Sequence, residues 1–146
     1  MSIKSSGVGW TIGLLFGTHV VENGLGRVFG ADLGIRIFPN PKDVLKADVS
    51  FVGADRMPLD ESGYLEVAPD LVVEVNSPND KATDVRAKVQ RWLNAGVGTV
   101  WVAQPGAQEV TVYRRGETPV VITAESEITG GDALPGFSCK VSRFFE

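Results

Sequence analysis

Pro69-Asp70-Leu71-Val72-Val73-Glu74-Val75-Asn76-Ser77-Pro78 sets an almost unbroken run of Leu and Val between two prolines, with one carboxylate in its middle. A short apolar run rich in β-branched residues reads as a strand buried on both faces. Side chains alternate along a strand, so Asp70, Val72, Glu74 and Asn76 share one face while Leu71, Val73 and Val75 share the other. An ionised carboxylate taken out of water is costly, and is normally paired, metal-bound or protonated. Glu74 therefore asks for a partner.

Working outward, Ser77-Pro78-Asn79-Asp80 carries a helix-start signal, with Ser77 as N-cap, Pro78 at the first helical position and Asp80 completing a capping-box-like spacing. The helix is predicted to run to about Asn94 and to end at Gly96, with Val85, Val89, Trp92 and Leu93 as its buried stripe. At about 100° per residue, Lys88 lies roughly 85° from the centre of that stripe. From this edge its long side chain can follow the core boundary and present the ammonium beside the strand carboxylates. Lys81 is the backup candidate.

Upstream, Gly9 to Asn23 reads as a first helix, with apolar residues at Trp10, Leu14, Val21 and their neighbours and Gly24 as C-cap. Residues 27–29, 32–38 and 47–52 read as successive strands, and 53–68 as a polar connection. Downstream, 99–103, 109–113 and 120–123 are predicted strands. A last strand follows the turns at Gly130-Gly131-Asp132 and Pro135-Gly136 and ends at Phe144-Phe145. Helix, strands, helix, strands makes an α+β domain around a central, mostly antiparallel sheet.

The chain has 146 residues, 43% of them hydrophobic and 22% charged, which suits one domain with a real core over residues 1–146. A formal net charge of −4 excludes a basic nucleic-acid-coating protein, yet a bound divalent ion locally inverts the field of an acidic site. Cys139 is the only cysteine and His19 the only histidine, so an intrachain disulfide, cysteine zinc clusters and Ser-His-Asp triads are excluded or poorly served. Lys4 followed by Trp10–Phe16 mimics a signal peptide, but no small-x-small cleavage site follows, and the run is too short and Gly-interrupted to span a bilayer. The expectation is a soluble, cytoplasmic protein.

Asp48 and Ser50 share a face of their strand; if that strand neighbours the Glu74 strand, Asp48 and Glu74 can converge on one ion. Mg²⁺ is commonly held by one or two carboxylates plus waters and substrate phosphate. Each residue also has a plainer reading. Glu74 can be a structural ion pair or hydrogen-bond acceptor, and Asp48 a solvated strand residue. Lys88 can pair with Asp84 four residues earlier on the helix, and Asp70 can be a strand-start residue.

Together Ala47-Asp48-Val49-Ser50-Phe51-Val52, the Pro69–Pro78 stretch, Lys88, Gly96-Val97 with Val100-Trp101-Val102, and Gly130–Phe137 with its Leu-Pro-Gly-Phe resemble the family described as putative restriction endonucleases, within the PD-(D/E)XK nuclease-like superfamily. The likeness covers the chain from about Gly26 to its end. It implies a restriction-endonuclease-like central mixed sheet flanked by helices, with Asp48 and Glu74 as metal-binding acids and Lys88 as the active-site lysine. The implied cofactor is Mg²⁺ or Mn²⁺, the substrate DNA, and a homodimer fits the need to grip two strands. The superfamily's named motif has lysine where this chain has Asn76; lysine supplied from the next helix, as Lys88, is a variant this family resembles. Ala47 replaces the proline usual before the first acid, and Gln104 stands where relatives tend to have Asp. Relatives usually carry a further segment before the first helix, which this sequence lacks.

Other features are weaker. Gly24-Leu25-Gly26 with Gly30 follows a helix and precedes strands, the reverse of a dinucleotide fingerprint. His19 reads as a packed or solvated residue and Cys139 as core or strand filler. Trp10, Trp92 and Trp101 fit apolar faces, so core packing is expected unless one lies exposed beside the acids. Two functions stay open: a metal-dependent endonuclease, and a catalytically silent nuclease-like domain that binds or oligomerises.

Overall fold

The computed structural model describes residues 2–57 and 63–146. Its frame is a six-stranded mixed sheet in sequential order: β1 (Gly26–Phe29), β2 (Val49–Gly53), β3 (Leu71–Val75), β4 (Thr99–Gln104), β5 (Glu109–Arg114) and β6 (Val120–Thr123). Only β3 and β4 run parallel, because helix α2 (Ala82–Asn94) carries the chain back between them; the other neighbours are antiparallel. A short hairpin of β7 (Glu127–Thr129) and β8 (Ser138–Lys140) stands apart.

The sheet is covered on both faces. One face meets helix α1 (Ile3–Asn23) and the C-terminal segment, where Phe16, Trp101 and Phe137 pack edge to face. The other face meets α2 and the connections at 33–47 and 65–68, with Val72, Val100 and Val102 under Val89 and Trp92. This explains why β3 is buried along its whole length. Among the described residues, no helix is long and apolar enough to cross a membrane.

Five sequence expectations need correction. Helix α1 starts at Ile3 rather than Gly9, because Ser2 and Ser5 cap its first turn reciprocally. Its buried stripe is Val8, Ile12, Phe16 and Val20, not Trp10, Leu14 and Val21. The helix is apolar on two sides, and the side next to Gly9 and Gly13 is the one seated on the sheet. A Cβ at Gly9 would lie 3.9 Å from Val75 and 4.0 Å from Asp48, and one at Gly13 3.9 Å from Val49, so this flank seats closely on the strand ends.

Residues 32–38 form no strand; only Ile35 bridges, to Leu45 and Leu65, within a breaker-rich extended cover over the α2 core. Helix α2 begins at Ala82 rather than at Pro78. Ser77–Asp80 close a turn in which Asp80 accepts from the Ser77 N–H, while the Ser77 hydroxyl that was to cap the helix bonds Ser5 of α1. The last strand ends at Lys140, and Val141–Phe145 is a 3-10 turn that buries Val141 and Phe144. The connection expected over 53–68 holds a 3-10 turn at Ala54–Arg56 and lies partly outside the described residues.

Candidate active site

Antiparallel pairing of β2 with β3 sets Val49 opposite Val73, and continuing that register by one residue brings Asp48 opposite Glu74. Asp48 sits just before its strand, anchored by the Val75 N–H, which donates to Oδ2 at 2.7 Å. Glu74 points to the α2 side and is only 8% exposed. Its Oε2 accepts from Trp92 Nε1 at 2.7 Å and pairs with Lys88 Nζ at 3.0 Å. The same ammonium donates to the Lys46 carbonyl at 3.1 Å, which ties α2 to the segment leading into β2. Lys88 thus reaches Glu74 rather than Asp84.

The three residues expected to act together do come together. They do so at one end of β3, where Glu74 and Lys88 border a pocket of about 330 Å³ with Asn76, Asp80, Lys81 and Asp84, while Asp48 borders a separate groove along α1. Lys81 borders the pocket and, among the described residues, forms no ion pair with either acid. Asp70 belongs to the other end of the strand, where it accepts from the Gly53 N–H and pairs with Arg56 at 2.7 Å. Asn76 continues the strand pairing through its N–H to the Ala103 carbonyl.

Burial raises the pKa of Glu74, opposed by Lys88 and by the Trp92 and Lys88 hydrogen bonds, with repulsion from Asp48 adding to the rise. Burial raises Asp48 as well, opposed by the Val75 N–H and Lys88. Two half-compensated carboxylates therefore face each other with their charged forms disfavoured. The hydrogen bonds fall on Oδ2 of Asp48 and Oε2 of Glu74, and leave Oδ1 and Oε1 without a partner among the described residues. That donor set suits a hard divalent cation. Among the described residues no group of three or more His, Cys, Asp or Glu side chains converges, so an ion here would rest on two carboxylates and take its other ligands from water or substrate.

Sequence reasoning missed the role of Trp92. Lys88 and Trp92 are four residues apart and so share a helix face on successive turns; the spacing already allowed both to reach one carboxylate. Trp101 is core as expected, whereas Trp10 is 72% exposed. His19 donates from Nε2 to the Pro135 carbonyl and abuts Phe137. Burial pushes the Cys139 thiol up to about 11, which suits packing rather than nucleophilic chemistry.

Residues 3–142 match the family model Uma2, described as "Putative restriction endonuclease". No curated protein matches the chain. Among solved structures, the chain is similar to one described as a putative nuclease belonging to DUF820 from Anabaena variabilis ATCC 29413. The TM-score is 0.86 at 21% identity, over 99% of this chain and 82% of that one. The α+β fold with its mixed sheet is thus one seen before.

Proposed function

This chain belongs to the Uma2 family of putative restriction endonucleases, and from that premise we propose that it is a metal-dependent endonuclease that hydrolyses phosphodiester bonds in DNA at Asp48, Glu74 and Lys88. The observation that carries this reading is the arrangement itself. The β2–β3 register carries two carboxylates to facing positions, one oxygen of each has no partner among the described residues, and an ammonium lies 3.0 Å from Glu74 beside an open pocket. Asp48 and Glu74 would hold one Mg²⁺ or Mn²⁺. A bound ion of this kind supplies Lewis-acid polarisation of a phosphoryl oxygen and lowers the pKa of a coordinated water.

The protein's own contributions follow from the geometry. The Val75 N–H fixes Asp48, and Trp92 fixes Glu74, so neither acid has to reorganise when a cation arrives. Lys88 offsets the charge of Glu74 in the free protein. In a complex it would turn toward a scissile phosphate, orient the attacking water and stabilise the charge that develops. The grip of Trp92 on Glu74 also favours a second reading, a silent domain in which this carboxylate only bridges strand and helix.

Thermal unfolding during a Mn²⁺ titration separates the two. Ligand at about a hundred times its dissociation constant stabilises the native state by roughly 2.7 kcal/mol. The expected result is saturable stabilisation in the wild type that both Glu74→Ala and Asp48→Ala abolish. It should be accompanied by Mn²⁺-dependent nicking of plasmid DNA that Lys88→Ala abolishes with metal binding retained. A wild type that ignores Mn²⁺, combined with strong destabilisation by Glu74→Ala, supports the silent domain instead.

A further inference from the structure

Helix α1 carries a second apolar stripe that the described residues leave uncovered. Ile3, Trp10, Leu14 and Val21 are 96%, 72%, 53% and 81% exposed. At about 100° per residue all four lie within roughly 20° of one line along the helix. Gly7 and Gly17 fall beside that line, so that positions 3, 7, 10, 14, 17 and 21 alternate spacings of four and three. This is the seam pattern of a helix packed lengthwise on another helix.

Four large apolar side chains exposed along one line make a contiguous apolar face, of the kind that on a monomer is often functional. An adjoining groove of about 740 Å³ runs from it past Val28 and Phe29 toward Asp48. The glycines point the same way. Nothing lies within 4 Å of a Cβ built at Gly7 or Gly17, so the single copy gives no packing reason for residues that weaken a helix. A helix lying close against this face does.

Charge chooses the orientation. Lys4 near one end and Glu22 near the other are the only Lys, Arg, Asp or Glu residues of α1, and both are exposed. A parallel partner would set like against like. An antiparallel copy brings each Lys4 toward Glu22 of the second copy and opposes the two helix dipoles. The stripe is self-complementary about its midpoint: Ile3 meets Val21, Gly7 meets Gly17 and Trp10 meets Leu14 of the second copy, as a twofold interface requires.

We propose that α1 is the seam of an antiparallel homodimer, two copies of this chain laying the Ile3–Val21 stripe together around a twofold axis. The assembly does not depend on the chemistry at Asp48 and Glu74, although the groove brings the second copy to the edge of that site.

Sedimentation of the full chain over a range of micromolar concentrations tests the proposal. The expected mass approaches twice 15.6 kDa. Association should shift Trp emission to the blue, and the shift reports Trp10 because Trp92 and Trp101 are already buried. Gly17→Leu fills open space with a better helix former, so the fold is kept while the dimer dissociation constant rises on the order of tenfold or more. Lys4→Glu should weaken the dimer, and Lys4→Glu with Glu22→Lys should restore it. A mass that stays at 15.6 kDa, or a dimer indifferent to Gly17→Leu, overturns the seam. Failure of the charge swap to rescue overturns the orientation. A monomer that binds phosphatidylglycerol vesicles through Trp10 assigns the stripe to a lipid surface and overturns the dimer.

Discussion

Replacing Trp92 with Phe should reveal how firmly the fold holds Glu74. The substitution keeps an aromatic ring in the α2 core but deletes the Nε1–H that donates to Glu74 Oε2 at 2.7 Å. A hydrogen bond to a charged acceptor is worth about 1.5–3 kcal/mol, and here the acceptor is buried and cannot turn to water. The lost part of the indole adds about 1 kcal/mol of packing, for a total of roughly 2.5–4 kcal/mol at neutral pH without metal. The control is the same change in a Glu74→Met background, where the indole N–H has no acceptor and its removal relieves a buried unsatisfied donor. There Trp92→Phe should cost only the packing share, about 1 kcal/mol. Urea unfolding of the four proteins then gives a coupling of about 2 kcal/mol. A coupling below about 0.5 kcal/mol refutes the claim that the indole holds the carboxylate.

Two further outcomes are expected. Asp48 and Glu74 both keep their protons to higher pH in the folded state than in the unfolded chain. The stabilisation they give is therefore complete below the unfolded value near pH 4 and is lost as pH rises through the raised folded values. Wild type measured in EDTA should lose stability against Asp48→Asn/Glu74→Gln as pH increases across that window, and the opposite slope would contradict the assignment. Gly34→Ala should destabilise, because the added Cβ would lie 2.7 Å from the Tyr64 ring and 2.9 Å from Val44, in a segment that gains nothing from helix propensity. Thermal unfolding of that variant checks it, and an unchanged midpoint would mean the cover over the α2 core moves aside freely.

What the sequence made legible was whatever local pattern determines. The buried β3 strand follows from Leu71–Val75 alone, and the α2 stripe from Val85 to Leu93. Lys88 at the stripe's edge predicted its reach to Glu74, and the β2–β3 register did the rest. Where two patterns competed, the sequence was silent. Helix α1 offers two apolar sides, and it is its packing on the sheet, with Gly9 facing Val75 and Gly13 facing Val49, that has Val8, Ile12, Phe16 and Val20 inward. The Ser77-Pro78 helix start failed for a tertiary reason: the Ser77 hydroxyl is drawn to Ser5, 72 residues away.

The same Ser5–Ser77 contact shows how the site is built. Asp48, Val75 and Ser77 lie where both helices meet the end of the β2–β3 pair: Gly9 of α1 approaches Val75 and Asp48, and Trp92 and Lys88 of α2 engage Glu74. The fold thus tightens around two carboxylates whose charges oppose each other and whose burial is unfavourable. A purely structural role for Glu74 would be served by its bonds to Trp92 and Lys88 alone, with an apolar residue at position 48. Retaining Asp48 there, fixed by the Val75 N–H with one oxygen left over, adds repulsion and gains the fold little beyond that one bond. Local rules broken without a compensating gain in stability are expected at functional sites. On that ground Asp48, rather than the more deeply buried Glu74, is the residue that argues for a bound cation, and Asp48→Asn is the single change that should remove metal affinity while raising the stability of the metal-free protein.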